Sequence, residues 1–254
     1  MVILCTTYDV IQLFMPNNYF QFKQFTVYQD KCAMKVCTDA CVFGAFAVAR
    51  IKNEELRIKN LLDIGSGTGL LSLMLAQQVN IIIDAVEIDI GAYQQTKDNF
   101  NASPWKERLT VFNTDVQQFT TDKKYDCIIS NPPFFEDDLR SDNDQKNSAK
   151  HDSTLTLQQL LKVVDNNLSD DGCFMVLLPF HRLHYFEVEA KKSGLFIDEK
   201  LFIKQTPAHT FFRGCLSFSR KETKPHVVEL TIKNEEGNYT DEFTDLLKDY
   251  YLYL

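Results

Sequence analysis

The chain has 254 residues, of which 44% are hydrophobic and 24% are charged, and its formal net charge is −8. This composition is typical of an ordinary globular protein that buries a core without disulfides or a structural metal, and the negative charge argues against a general polyanion binder. The apolar runs are too short to span a bilayer, and the first residues lack a signal peptide's basic flank, so we expect no membrane anchor.

From residue 60 to about residue 220, apolar runs of strand length alternate with helical periodicity. The predicted strands are 61–65, 81–88, 108–114, 125–130, 173–179, 195–204 and 211–220. The predicted helices are 69–79, 92–101, 156–168 and 184–194, with Gly194 as a C-terminal cap. Strands that alternate with helices predict an α/β fold with a doubly wound, mostly parallel sheet.

Three further segments lie around this pattern. Residues 20–27 are expected to form a strand, and the polar segment 135–152 is long enough that a functional role or disorder is expected. A strand and an acidic amphipathic helix are expected after residue 225. We therefore expect an N-terminal extension over 1–45 that packs on the cofactor side, a catalytic region over 46–225, and a C-terminal part over 226–254 within the same domain.

A glycine-rich motif follows the first of the alternating strands and opens a helix. It reads Asp63-Ile-Gly65-Ser-Gly67-Thr-Gly69. The glycines allow a tight turn and let the backbone approach a ligand closely. The spacing is not that of a dinucleotide-binding loop or of a P-loop. An acid just before the first glycine suits a cofactor with an amino group and a positive charge, such as S-adenosyl-L-methionine (SAM).

Acidic residues end the next two strands. Glu87 is placed to accept both ribose hydroxyls of a nucleoside, whereas Asp89 is better explained as a helix N-cap. Asp115 follows the third strand and can accept a hydrogen bond from an adenine amino group. Val116 beside it can pack on the adenine ring.

The most specific motif is Asn131-Pro132-Pro133-Phe134, directly after the fourth strand. In such folds ligands bind at the carboxyl ends of the strands. The Asn131 side-chain oxygen and the Pro132 carbonyl offer two acceptors for one NH2 group, and the prolines fix the backbone that carries them. Phe134 offers a flat face for stacking. Together these residues predict a site for a planar amide or an aromatic amine.

With these motifs in place, the chain resembles the SAM-dependent amino-methyltransferases of the Rossmann-like class, for which a seven-stranded sheet is expected. Further segments resemble the small bacterial tRNA adenine-N6-methyltransferases, which act on adenine 37 in the anticodon loop of a valine tRNA. They are FQFKQFTV (20–27), MKVCTDACVFGAF (34–46), NASPW (101–105) and AKHD (149–152). The resemblance covers roughly residues 20 to 220.

The resemblance implies an enzyme with SAM as cofactor and tRNA as substrate. We expect it to be cytoplasmic and to act as a monomer without an obligate protein partner. Thr38 and Asn131 are added to the expected cofactor-binding residues, and Phe135 would line the base pocket. Lys23, Lys150, His151 and Arg213 are candidates for RNA contact. The family usually has glycine where Cys37 stands and arginine where Lys150 stands. Lys150 keeps a phosphate-binding charge but loses the fork of arginine.

The charge distribution agrees with RNA contact at two places, because residues 1–60 carry +2 and residues 179–226 carry +4 around an acidic middle. Seven cysteines show no CxxC pair and no histidine at ligand spacing, so reduced, mostly buried thiols and no metal are expected.

Four other functions stay open. An NPP-aromatic motif suits the glutamine side chain of a release factor equally well, but enzymes of that type carry a larger helical N-terminal domain. A DNA adenine methyltransferase would need an added recognition region, and another RNA is a further possible substrate. A SAM-binding module without catalysis is disfavoured by the intact NPPF motif.

Overall fold

The computed structural model describes residues 17–53, 58–133 and 155–254. The strands in these ranges are β1 (Tyr19–Gln21), β2 (Thr26–Tyr28), β3 (Asn60–Ile64), β4 (Ile82–Glu87), β5 (Leu109–Asn113), β6 (Tyr125–Ser130), β7 (Leu168–Pro179), β8 (Phe196–Lys204), β9 (Phe211–Ser219) and β10 (His226–Thr231). The helices are α1 (Thr38–Asn53), α2 (Leu70–Gln78), α3 (Ile90–Ala102), α4 (Leu157–Asn167), α5 (Leu183–Lys192) and α6 (Asp241–Leu247).

Eight strands form one sheet in the order β10-β8-β9-β7-β6-β3-β4-β5. Only β9 runs against its two neighbours, and every other pair in this sheet is parallel. The predicted α/β class with a mostly parallel, doubly wound sheet is therefore confirmed. The sheet has one strand more than the seven expected, because β10 adds to β8 in parallel.

Both faces of the sheet are buried, which explains why the central strands are continuous apolar runs. Leu61 and Leu62 are adjacent in β3 and fully buried, yet they belong to two different core clusters on opposite faces. The first cluster includes apolar residues of α1, α2 and α6, and the second includes those of α4 and α5. The C-terminal helix belongs to the first cluster through Phe243 and Leu247.

Most predicted elements are observed with ends shifted by one or two residues, and three differ more. The single strand predicted over 20–27 is a hairpin, because its middle turns where Phe22 and Phe25 stack with ring centroids 4.6 Å apart. β7 begins at Leu168 rather than at residue 173. Helix α1 was not predicted, and it crosses the boundary expected at residue 45. The division of the chain into 1–45, 46–225 and 226–254 stays a prediction.

Among the described residues, no helix has the length and apolar character to cross a membrane. The six cysteines in these ranges are unpaired thiols, and five of them are buried. Cys37 is the half-buried one.

Candidate active site

The glycine-rich loop joins β3 to α2 at the carboxyl edge of the sheet. Gly65, Gly67 and Gly69 all have positive φ, at 74°, 57° and 79°. Only glycine adopts this conformation without strain. A Cβ atom at Gly65 or Gly67 would meet no heavy atom within 4 Å, whereas one at Gly69 would lie 2.7 Å from the Phe100 ring. The first two glycines therefore leave open space beside the loop, while the third allows close packing of α2 on α3.

Glu87, the last residue of β4, is oriented by two backbone amides. Its Oε2 accepts from Gly67 N at 2.8 Å and its Oε1 accepts from Asp89 N at 2.9 Å. Asp89 caps α3 and accepts from Ala92 N at 2.8 Å, which confirms its predicted role as an N-cap. Each carboxylate oxygen of Glu87 keeps a second lone pair. The carboxylate is thus fixed against the loop with acceptor capacity for ribose hydroxyls.

Asp63 lies on β3 behind the loop and is fully buried. Its Oδ2 accepts a hydrogen bond from the Ser72 hydroxyl at 2.7 Å, which ties the strand to the first turn of α2. Its Oδ1 has no hydrogen-bond partner among the described residues. Burial raises the pKa of the Asp63 carboxyl to about 7, the Ser72 hydroxyl opposes that rise, and the charge of Glu87 adds to it. The structure therefore gives Asp63 a role in holding the loop, and its contact with a cofactor stays a prediction.

The Asn131 side chain follows β6, next to β3 in the sheet. Its Oδ1 is buried and has no hydrogen-bond partner among the described residues. Pro132 is buried behind it and Pro133 is exposed. A buried amide oxygen without a donor is unfavourable unless a ligand supplies one. This is the predicted acceptor, and it lies beside the glycine loop because Ile64 and Ser130 are aligned at the ends of β3 and β6.

Asp115 and Val116 lie in the turn after β5, on the other side of β4. The Asp115 carboxylate accepts from Gln117 N at 2.9 Å, and its side chain is half-buried. Val116 is buried and belongs to the second core cluster. The carboxyl ends of β3, β4, β5 and β6 thus bring together the glycine loop, Glu87, Asp115 and Asn131.

Residues that the sequence did not single out as functional hold the glycine loop from outside. The Gly67 carbonyl accepts from the Thr96 hydroxyl at 2.7 Å and from the Cys32 thiol at 3.4 Å. The Asn99 amide donates to the carbonyls of Thr68 and Tyr28 at 2.9 and 2.8 Å. Cys32, in the segment before α1, therefore contacts the glycine loop directly, and Tyr28 is joined to it through Asn99. The packing of an extension over 1–45 on the cofactor side stays a prediction. The polar residues of the predicted helix 92–101 that face the loop are the sequence signal that could have identified these contacts.

The start of α1 reaches the same edge of the sheet. Asp39 Oδ2 accepts from Arg213 Nε at 2.8 Å, and Arg213 is aligned with Pro179, the last residue of β7. Thr38 is exposed at this helix start. Thr38 and Arg213 thus lie on the active-site edge, while their contacts with cofactor and RNA stay predictions.

Cys37 precedes α1, and its carbonyl accepts from Cys41 N at 3.2 Å. Burial and the neighbouring Asp39 carboxylate together raise the pKa of its thiol to about 12. This cysteine is therefore a neutral packing residue in the turn that leads into α1.

The structure does not bring Lys23 to this site. Its backbone amide donates to the Tyr250 carbonyl at 2.8 Å, and its ammonium group donates to the Lys248 carbonyl. The turn that carries it adjoins Trp105, whose ring lies 5.8 Å from that of Phe25. Trp105 precedes the amino end of β5, so Lys23 lies toward the opposite edge of the sheet. The predicted residues Phe134, Phe135, Lys150 and His151 fall outside the described residues.

The profile of the family described as "Methyltransferase small domain" matches residues 35–182. A tRNA1(Val) (adenine(37)-N6)-methyltransferase of Dyadobacter fermentans is 42% identical over 244 residues, which cover 94% of this chain and 99% of the relative. The chain belongs to the tRNA1(Val) (adenine(37)-N6)-methyltransferase family. Family members with the same name from Phocaeicola vulgatus and Photorhabdus laumondii are each 40% identical and cover 94% and 92% of this chain, and 99% and 95% of their own lengths.

Solved structures support the fold of the family member described here. A predicted O-methyltransferase from Agrobacterium tumefaciens superposes with a TM-score of 0.60 at 13% identity, covering 83% of this chain and 96% of that one. A putative RNA methyltransferase from Pyrococcus horikoshii gives a TM-score of 0.52 at 21% identity, covering 72% and 84%. At these identities the likeness shows the class I methyltransferase fold alone.

Proposed function

We propose that this chain transfers a methyl group from SAM to N6 of adenine 37 in tRNA1(Val). The observation that supports this most directly is the buried Asn131 Oδ1, which lacks a donor among the described residues and lies beside the glycine loop. The exocyclic NH2 of adenine supplies such a donor. The relatives at about 40% identity carry this activity in their names.

The residues that follow β6 would act by orienting the adenine base. N6 of adenine is a poor nucleophile because its lone pair is delocalised into the ring. Asn131 Oδ1 and the Pro132 carbonyl would each accept one hydrogen of the amino group, which turns the nitrogen lone pair toward the methyl donor. The rigid backbone of the two prolines holds both acceptors in place. In-line alignment of this kind is the main contribution that the site makes to the rate.

The residues present fit SAM, because the loop beside Gly65 and Gly67 is open and Glu87 is held against it. Glu87 would bind the ribose hydroxyls, and Asp115 with Val116 would hold the adenine. When bound, SAM supplies an activated methyl group on a positively charged sulfur. No general base is required before transfer, because the proton of N6 can leave afterwards.

The proposed substrate is an RNA loop rather than a duplex, and two considerations support this choice. An anticodon-loop base is partly unpaired, so moving it into a pocket costs less than flipping it from a helix. The net charge of −8 disfavours broad binding to a duplex. A monomer in the cytoplasm without an obligate protein partner remains part of the proposal.

The test uses methyl-labelled SAM with unmethylated total tRNA, duplex DNA and a release factor as separate substrates. Label in N6-methyladenosine from tRNA is the expected product. Label in a glutamine residue or in DNA would keep the fold and the cofactor but overturn the substrate. SAM binding without label in any substrate would favour a non-catalytic role.

A further inference from the structure

Three phenylalanine rings form a cluster at the carboxyl edge, on the side of the Asn131 motif away from the cofactor loop. Phe180 follows β7, Phe202 lies near the end of β8, and Phe211 begins β9. Their ring centroids lie 5.2 Å apart for Phe180 and Phe202, 5.2 Å for Phe180 and Phe211, and 5.6 Å for Phe202 and Phe211. All three side chains are half-buried, so part of each ring faces solvent.

One cationic side chain lies on this ring cluster. The Lys204 ammonium group is 5.3 Å from the Phe211 ring centroid and 3.7 Å from the Glu229 carboxylate. The two segments that build this surface, 179–186 and 202–215, contain three Lys or Arg residues, three histidines and no Asp or Glu. Such a surface is complementary to an anionic partner with flat rings, and unpaired RNA bases stack on aromatic side chains in this way.

The order of the strands indicates in which direction a bound partner runs along this edge of the sheet. The residues expected to hold the cofactor follow β3, β4 and β5, and the base acceptors follow β6. β7, β9 and β8 continue the same edge beyond the acceptors. A polynucleotide with one base at Asn131 therefore extends over β7, β9 and β8, since the cofactor occupies the half of this edge that β3, β4 and β5 form.

We propose that Phe180, Phe202, Lys204 and Phe211, here called the ring shelf, bind the anticodon loop next to the methylated adenine. The rings stack on neighbouring unpaired bases, and Lys204 contacts a backbone phosphate. This inference rests on the proposed function, because it takes the same RNA as its partner.

The opposite edge of the sheet offers a matched control. Lys191, in the last turn of α5, lies 5.8 Å from the Phe196 ring centroid and pairs with Glu222 at 3.0 Å. It is also a lysine on a phenylalanine with a glutamate partner. It lies where β8 begins rather than where it ends, so RNA on the ring shelf does not reach it.

The experiment measures binding of an unmodified tRNA1(Val) transcript by full-length protein at several salt concentrations. Lys204→Gln should make the negative slope of log affinity against log salt shallower by about 0.7, the value for one phosphate contact on a single strand. Phe211→Leu should weaken binding by about fivefold or more, the loss of one stacked base. Lys191→Gln and Phe196→Leu should leave both quantities unchanged. SAM affinity serves as the check that each variant is folded.

Equal losses of RNA affinity and of salt dependence in the two control variants would overturn the proposal, since such losses would reflect the net charge or the stability of the protein. Unchanged binding in both ring-shelf variants would overturn it as well, even if wild-type protein methylates the transcript. Failure of the proposed function has a different signature, because wild-type protein would then leave the transcript unmethylated. Methyl transfer to a protein substrate, impaired by Phe211→Leu while RNA binding is unchanged, would also reject an RNA partner for this surface.

Discussion

The Ser130 hydroxyl donates a hydrogen bond to the Ile64 carbonyl over 2.9 Å, and both groups are buried. Ile64 ends the strand that leads into the glycine loop, and Ser130 directly precedes Asn131. This bond fixes the base acceptors relative to the cofactor loop at the ends of two neighbouring parallel strands. Alignment of two reactants is what the proposed reaction requires from the protein, and the fold supplies it at this junction.

Replacing Asn131 by alanine should separate catalysis from cofactor binding. The variant loses one of the two acceptors that orient N6, so we expect kcat to fall about a hundredfold or more. SAM affinity should stay within a few-fold, because the glycine loop and Glu87 are untouched. Single-turnover methyl transfer and calorimetric SAM binding measure the two effects.

Asn167→Ala removes the same side chain at the end of α4, where its amide donates to the Val163 carbonyl at 2.8 Å, and it serves as the control. Parallel loss of SAM binding and transfer in Asn131→Ala would show that Asn131 has another role.

Glu87→Gln should weaken SAM binding. The amide side chain keeps one acceptor oxygen, so either Gly67 N or Asp89 N loses its partner, and the negative charge near the ribose is lost. Hydrogen bonds to charged groups contribute about 1.5–3 kcal/mol, so the Kd for SAM should rise about tenfold to a hundredfold. Titration calorimetry measures this change. Asp89→Asn keeps an equally good helix cap, so a comparable loss there would contradict the assignment of the ribose contact to Glu87.

Alanine at two glycines of the loop should have different effects. Gly67→Ala introduces left-handed strain of about 1–2 kcal/mol but no clash, so SAM affinity should fall while the Tm falls by only a few degrees. Gly69→Ala adds a contact 2.7 Å from the Phe100 ring, so its Tm should fall further. Thermal unfolding with and without SAM distinguishes the two. A larger loss of stability in Gly67→Ala would contradict the open space seen beside that residue.

The sequence predicts the central part of the fold and site well because the signals there are local. Strand β6 has the predicted ends, and the motifs expected to bind ligands follow it and its neighbours at the carboxyl edge of the sheet. The N-terminal hairpin was missed because Phe22 packs against Tyr251, a contact between distant parts of the chain, and Phe25 stacks on Phe22. β7 starts early because residues 168–172, which look like a turn, are part of the strand and Leu168 pairs with Tyr125.

In the site, the sequence predicted that acidic residues follow the strands at this edge of the sheet but not what each one contacts. Asp63 is buried beneath α2, and only packing decides whether an acid on a strand faces a ligand or a helix. The loop contacts of Cys32 and Thr96 depend on how the N-terminal segment and α3 fold back, which no local pattern encodes.

The Asp63 carboxyl should make stability depend on pH. Its pKa is about 7 in the folded chain and about 3.9 when unfolded, so between these values the folded state binds the additional proton. Stability from this group is therefore complete below pH 4 and is lost as the pH rises to about 7. Relative to Asp63→Asn, wild-type protein should lose about 4 kcal/mol of unfolding free energy across this window.

Urea unfolding at a series of pH values measures the difference between wild-type protein and Asp63→Asn. A constant difference across the window would mean that the Asp63 carboxyl is ionised in the folded state throughout.

The central claim is that one adenine amino group at position 37 receives the methyl group. The direct test offers methyl-labelled SAM and two tRNA1(Val) transcripts, one with adenine and one with guanosine at position 37, followed by nucleoside identification. The account predicts labelled N6-methyladenosine from the first transcript and none from the second. Equal labelling of both transcripts, or label in a different nucleoside, would contradict it.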